Sequence, residues 1–310
     1  MPWDFAIWPA LAVALACMLD RWLGEPQRYH PLVIFGAWAD KVRCVRWFQR
    51  QTPQQQRLAG AAMLASTVLP WVLVAALLTQ PPAIGELLSV VLLYGCIGHQ
   101  SLREHVLPIA SALKVGDTKQ ARALASRIVS RDPEKMDPTK AAIESTLENG
   151  TDGVFATIFW FLVAGAPGAV LYRLVNTLDA MWGYKTAEFL HIGWAAARLD
   201  DLLNYVPARL TAVSYALLGN TRSALRCWKT QAHLCASPNG GPVMCAGAGA
   251  LQIELGGPTW YHGQCVEKPV MGEGKAPDAD SILAALQLVK HTLLLWIAAA
   301  FAIGFLESGL

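Results

Sequence analysis

The chain has 310 residues, 54% of them hydrophobic and 15% charged, with a mean hydropathy of +0.33 and a formal charge of +2. That is too apolar for an ordinary soluble protein, in which about a quarter of residues are charged, and the small net charge gives no reason to expect nucleic acid as a partner. The composition describes an all-α, polytopic integral membrane protein with the lipid bilayer as its solvent. Lys and Arg are absent from 1–20, 58–102 and 291–310, and these gaps locate the predicted spans, each of which needs about 20 apolar residues.

The first predicted span is 5–23; no Lys or Arg precedes it, so it reads as an uncleaved helix rather than a signal peptide. Turn signals follow at Gly24-Glu25-Pro26 and His30-Pro31, and the basic stretch Lys41 to Arg50, interspersed with Val42, Val45 and Trp47, suits an interfacial helix. The central gap holds a hairpin of spans, 58–78 and 84–99, whose connection carries Pro81, Pro82 and Gly85 but no basic residue. By the positive-inside rule that turn lies outside, and the basic segments of about 24–57 and 100–287 face the cytoplasm. Apolar residues at helical spacing predict a second helical hairpin over 102–129, turning at Gly116-Asp117. Segments 154–171, interrupted by Gly165 and Pro167, and 202–218 are possible spans or re-entrant segments, with a shallow insertion preferred for the first. The Gly-dense stretch 237–274 reads as loop-rich, with the turn Ser237-Pro238-Asn239-Gly240-Gly241 leading into a close-packed segment of small residues to Gly249, and 288–306 is the last span. The whole of 1–310 is thus read as a single domain embedded in the cell (inner) membrane, with a helical and loop-rich cytoplasmic face that carries the active site.

Chemistry concentrates in the central third. Between Lys140 and Arg173 there is no positive charge, yet Glu144, Glu148, Asn149 and Asp152 run into the apolar Val154 to Leu171. Acids at i, i+4 and i+8 share a helix face, and each would cost about 2.5 to 3.5 kcal/mol at a bilayer centre, so a cation is expected there. Three further clusters are Ser130-Arg131-Asp132 with Asp137, Asn176 with Asp179, and Arg198, Asp200, Asp201, Asn204 and Arg209. Carboxylate and amide oxygens suit magnesium, and Arg131, Arg198 and Arg209 suit phosphates. The alternative for any one of these residues is an ordinary surface ion pair or helix cap. Nucleotide motifs are absent: Gly272-Glu273-Gly274-Lys275 lacks the upstream glycine and following Ser or Thr of a P-loop, and Gly247-Ala248-Gly249 is not completed as Gly-x-Gly-x-x-Gly. The seven cysteines form no Cys-x-x-Cys pair, so they read as buried or free thiols.

The order of these segments closely resembles the adenosylcobinamide-phosphate synthase family of cobalamin biosynthesis. The resemblance rests on Leu19-Asp20-Arg21 with Gly24-Glu25-Pro26 and His30-Pro31, Ile128-Val129-Ser130-Arg131-Asp132, and Ala142-Ile143-Glu144-Ser145 through Glu148-Asn149 to Asp152-Gly153. It continues through Asn176-Thr177-Leu178-Asp179, Ala197-Arg198-Leu199-Asp200-Asp201, Pro207-Ala208-Arg209-Leu210 and Ser237-Pro238-Asn239. Two departures are Thr230-Gln231-Ala232, where many members have Arg-Asp-Ala, and Asn239-Gly240-Gly241 in place of Asn-Ala-Gly.

The resemblance implies a ligase that uses ATP and Mg2+ to join (adenosyl)cobyric acid to aminopropanol or its O-phosphate. It implies catalytic roles for Glu144, Glu148, Asp200 and Asp201, and metal binding by Glu144, Glu148, Asp152 and Asp200. Arg131, Arg198 and Arg209 would take phosphates, and Asn149, Asn176, Asp179, Asn239 and His30 would position substrates. Later cobalamin-assembly enzymes are implied partners. A corrinoid transporter and a non-catalytic membrane anchor are the competing readings from other classes.

Overall fold

The computed structural model describes residues 4–26, 30–42, 51–183, 186, 189–261 and 263–309. The expected interfacial helix lies largely outside them, at 43–50. The chain is helical through α1 (Asp4–Leu23), α2 (Pro31–Val42), α3 (Pro53–Leu78), α4 (Ile84–Tyr94), α5 (His99–Lys114), α6 (Thr118–Ala125) and α7 (Pro138–Gly150). A π-turn at Thr151–Phe155 leads into α8 (Ala156–Trp182), followed by α9 (Trp194–Leu218), α10 (Thr221–Gln231), α11 (Gly240–Leu251) and the long α12 (Ala279–Ser308). Four stretches, 6–23, 53–78, 138–182 and 279–308, are long and apolar enough to cross a membrane, and the protein is all-α in class and polytopic.

These stretches contain the expected spans 5–23, 58–78 and 288–306 almost entirely. The helix expected over 84–99 is shorter: α4 ends at Tyr94, its 11 residues rise only about 16 Å, and a turn at 95–98 separates it from α5. Segment 154–171 lies within 138–182, but the helix is broken where Gly165 and Pro167 interrupt it, at Ala164 (φ −137°) and Gly165 (φ 64°). Segment 202–218 lies inside α9, which is not one of the four.

Two compact units divide the chain. The first comprises 1–98, 156–204 and 299–310. Its core gathers Phe35 from α2, Met63, Leu64 and Val68 from α3, Tyr172, Val175, Leu178 and Trp182 from α8, and Ile192 before α9. α3 starts at a capping box in which Thr52 and Gln55 satisfy each other's backbone N–H, with Pro53 in the first turn where its missing N–H costs nothing. The other side of α3 leaves Leu69, Leu73, Val74 and Leu77 exposed, as a helix facing hydrocarbon does; such helices are held by close packing rather than by transfer out of water.

The second unit comprises 99–155 and 205–298. The expected hairpin over 102–129 is present as α5 and α6, with the Asp117 side chain accepting from the Gln120 N–H at 2.9 Å to start α6. In the region 237–274 the close-packed segment expected after the Ser237–Gly241 turn is present, and the loop-rich remainder is largely a hairpin. The segment is α11, in which every residue from Gly240 to Ala250 is buried: small side chains let neighbouring backbone approach a helix from all sides. The hairpin is an antiparallel pair, β1 (Glu254–Tyr261) and β2 (Gln264–Gly272), with a bulge between Leu255 and Gly257. Gly256 and Gly257 make the bulge possible by taking φ of 78° and 86°, open to glycine and strained for other residues.

Candidate functional site

In the first unit, α8 and α9 build one continuous polar network. Helical spacing puts Tyr172 and Asn176 on one face of α8, and Asp200 and Asn204 on one face of α9. Asn176 Nδ2 donates to Asp200 Oδ1 at 3.1 Å, and Asn204 Nδ2 donates to Asp200 Oδ2 at 3.1 Å. Buried Tyr172 fixes the second amide by donating its hydroxyl to Asn204 Oδ1 at 2.9 Å, and Arg173 Nη1 reaches Asn176 Oδ1 at 3.4 Å. Both oxygens of Asp200 therefore have a donor, and each amide is oriented by a partner of its own.

Burial raises the Asp200 carboxyl above its ordinary value; the two amide donors pull it back, and the Asp201 charge adds to the rise. Asp179 lies within electrostatic range of Asp200 and Asp201, and its backbone carbonyl accepts from Gly183 N–H at 2.7 Å. Asp201 is half-buried with Arg198 at 3.8 Å, whose side chain is largely exposed. His30 starts α2, its Nδ1 accepting from the Leu32 N–H at 3.2 Å; burial lowers its pKa, the charge of Arg173 acts in the same sense and Glu25 opposes. The imidazole is thus held neutral at physiological pH.

In the second unit the expected residues fall into two groups. Arg131 and Glu144 form a buried ion pair, their side chains 8% and 3% exposed, and Lys268 of β2 approaches the same Glu144 oxygen at 3.4 Å. The other oxygen accepts the Gly256 N–H at 3.1 Å, while Lys140 donates to the Gly256 carbonyl at 3.1 Å. Glu144, expected to ligate metal, has its carboxylate engaged by these groups, and the contacts pin the β-hairpin to α7.

The other group surrounds the Ser237–Asn239 turn. Arg209 donates to Asn239 Oδ1, to the Pro238 carbonyl at 2.9 Å and to the Tyr205 carbonyl at 3.0 Å, and its guanidinium lies 3.7 Å from the Tyr205 ring centroid. Ser237 Oγ accepts from Gly240 N–H at 2.9 Å, closing the turn. A Cβ on Gly240 would lie 2.6 Å from Glu148 Oε1, so glycine there is what lets the Glu148 carboxylate reach the first turn of α11. Arg209→Lys keeps the charge and loses the planar fork. Hydrogen exchange at 238–241 is expected to accelerate about tenfold, on a loss of about 1.5 kcal/mol, and unchanged protection would show that Arg209 does not hold the turn.

Two expected residues remain. Asn149 is exposed and spends its amide on Ser145 of its own helix. Asp152 sits half-buried in the π-turn that follows α7, within electrostatic reach of Tyr215. Among the described residues, no three His, Cys, Asp or Glu side chains converge on a point that could hold a metal. Tyr172 and Lys268 were not anticipated. Tyr172 stands one helical turn before Asn176, a usable signal; Lys268 is 124 residues from Glu144, a separation that no local pattern bridges.

Comparison with known proteins decides the family. Residues 13–289 match the family model described as CobD/Cbib protein. The chain belongs to this family. Relatives of this CobD/Cbib chain include the "Cobalamin biosynthesis protein CobD" of Stutzerimonas stutzeri, 54% identical over 96% of this chain and 99% of the relative. That of Chromobacterium violaceum is 49% identical over 96% and 99%, and that of Mycobacterium tuberculosis 36% identical over 90% of each. No solved structure matches the chain. Within the CobD/Cbib chain, Gln231, one of the departures noted in the sequence, holds the end of the hairpin: Oε1 accepts Gly272 N–H at 2.7 Å and Nε2 donates to Gly272 O at 3.0 Å.

Proposed function

We propose that the protein acts in cobalamin biosynthesis as a ligase forming an amide between a carboxylate of (adenosyl)cobyric acid and aminopropanol or its O-phosphate, in the inner membrane with its active face towards the cytoplasm. The names of its CobD/Cbib relatives support the pathway. The observation that carries the chemistry is Asp200, a carboxylate whose pKa is raised by burial while two oriented amides fix its position. A nucleophilic amine must lose a proton as the amide forms, and a positioned base with a raised pKa suits that task at neutral pH.

Magnesium ATP, the expected activating pair, would turn the carboxylate into an electrophile and neutralise phosphate charge. Magnesium takes one or two carboxylates and completes its shell with phosphate oxygens and water; in the first unit Asp179 and Asp201, which lie within electrostatic range of each other, would be the acids to hold it, leaving Asp200 to its amides. Glu144 does not fit, its oxygens being occupied by Arg131, Lys268 and the Gly256 N–H. In the second unit, Arg209 and Asn239 form a prebuilt polar turn suited to an anion or a substrate amide, and Glu148 is the acid beside it.

The test is purified full-length protein in lipid with adenosylcobyric acid, magnesium ATP and either amine, followed by mass spectrometry of corrinoids and nucleotides. An amide product is expected, and ADP or AMP identifies how the carboxylate is activated. Folded protein that makes no product with either amine would transfer the reading to a transporter or an anchor.

A further inference from the structure

Two thiols that the ligase reading does not use meet beside the Ser237–Asn239 turn. Cys235 ends a short 3-10 turn (Ala232–Leu234) and is half-buried, Cys245 is enclosed within α11, and their Sγ atoms lie 4.0 Å apart across ten residues of chain. We propose that Cys235 and Cys245 form a redox-active dithiol that closes to an intrachain disulfide by exchange with a small-molecule disulfide. This goes beyond the ligase reading and does not depend on it.

A disulfide bond is about 2.0 Å long, so from 4.0 Å the sulfurs must approach by about 2 Å. The backbone is already close: a Cβ on Gly241 would lie 2.9 Å from Cys235 Cβ and 2.7 Å from the Ala232 carbonyl, so glycine lets the chain at Cys235 rest on the first turn of α11. The two thiols are also unequal. The contact between the two sulfurs, in which either can donate, and the nearby Lys268 charge together outweigh burial and the charges of Glu144 and Glu148 to lower the Cys235 pKa. The same hydrogen bond, with burial, raises that of Cys245. The more accessible sulfur is therefore the nucleophile, and the enclosed one is a proton-bearing partner held in reserve.

The exchange balances without any further reactant. The Cys235 thiolate attacks one sulfur of the external disulfide, that S–S bond breaks, and a small thiolate leaves. Once Cys235 is a mixed disulfide it carries no charge to hold the Cys245 proton; Cys245 gives that proton to the departing thiolate and attacks Cys235 Sγ, and the second small thiolate leaves and takes from water the proton that Cys235 had released. Two protein thiols lose two electrons and two protons, and one external disulfide becomes two thiols. The product staples residue 235 to α11 across the turn that presents Asn239.

The experiment uses the full-length protein in detergent, at a concentration of glutathione disulfide sufficient to modify exposed Cys265. Alkylation under denaturing conditions and peptide mass spectrometry then read each cysteine. Alkylation at Cys235 and Cys245 is expected to fall together toward zero with a peptide linking the two, while Cys265 keeps a glutathione adduct and Cys245→Ala traps the adduct on Cys235. A lasting adduct at Cys235 of the unaltered protein, or an unmodified Cys235 when Cys265 is fully modified, would overturn the proposal. Both decisive readings come from the unaltered protein, so they stand even if the variant does not fold.

Discussion

Asp200→Asn is expected to lower the rate of amide formation by about 10² to 10⁴-fold, the range over which a positioned base contributes, with little change in the apparent affinity for the corrinoid. The substitution keeps the shape and one accepting oxygen but sets an N–H donor against one of the two amide donors, so the loss of charge is read together with a rearranged network, and the pH profile separates the two. The pH dependence has a definite sign. A base works ionised, so the rate falls as pH drops through its pKa, and burial places that limb above the ordinary Asp value. The Asn204 amide favours the charged form; Asn204→Leu removes it, and the acid limb of kcat/KM should move to higher pH. Tyr172→Phe releases Asn204 from its orienting hydroxyl and should move the limb the same way by less, since the amide stays in place. An acid limb unmoved in both variants would separate the network from the proton transfer, and full activity in Asp200→Asn would remove Asp200 from the chemistry.

How much of this was legible in the sequence depended on distance along the chain. The first and last apolar helices and the α5–α6 hairpin could be read because periodicity and charge gaps are local signals. The pairings of Asn176 with Asp200 and of Arg209 with Asn239 join residues that had been singled out in separate clusters, 24 and 30 positions apart. Sequence named the partners without pairing them. Within 237–274 the close packing of the small residues up to Gly249 could be read, as at Gly247, whose Cβ would meet the Leu147 side chain at 2.7 Å, whereas the hairpin over 254–272 could not, because glycine signals backbone freedom and close packing equally well. The stripe of Glu144, Glu148 and Asp152 assumed a uniform helix, and the π-turn at Thr151–Phe155 breaks that assumption. Glu144 illustrates the limit most clearly, since its role is set by Lys268 and Gly256, more than 100 residues away.

That pin makes the second large prediction. Removing one partner of a buried ion pair leaves the other charge desolvated and unpaired, which costs about 3 to 5 kcal/mol, whereas an apolar replacement of both can be nearly neutral. Glu144→Gln is therefore expected to destabilise the second unit by about that amount, with Arg131 left between a neutral amide and Lys268. Arg131→Met should cost less, because Lys268 and the Gly256 N–H still accompany the carboxylate, and the double variant should recover part of the loss rather than add to it. Hydrogen exchange across 254–272 and thermal unfolding in detergent measure both effects, and exchange in the hairpin should rise before the helices of the same unit open. The competing expectation, Glu144 as a magnesium ligand, makes the opposite forecast: an unchanged hairpin in Glu144→Gln with a raised magnesium requirement for activity. A carboxylate already contacted by two cations and a backbone N–H has little left to offer a metal, so the loss should appear in the fold, at the hairpin, before it appears in the metal dependence.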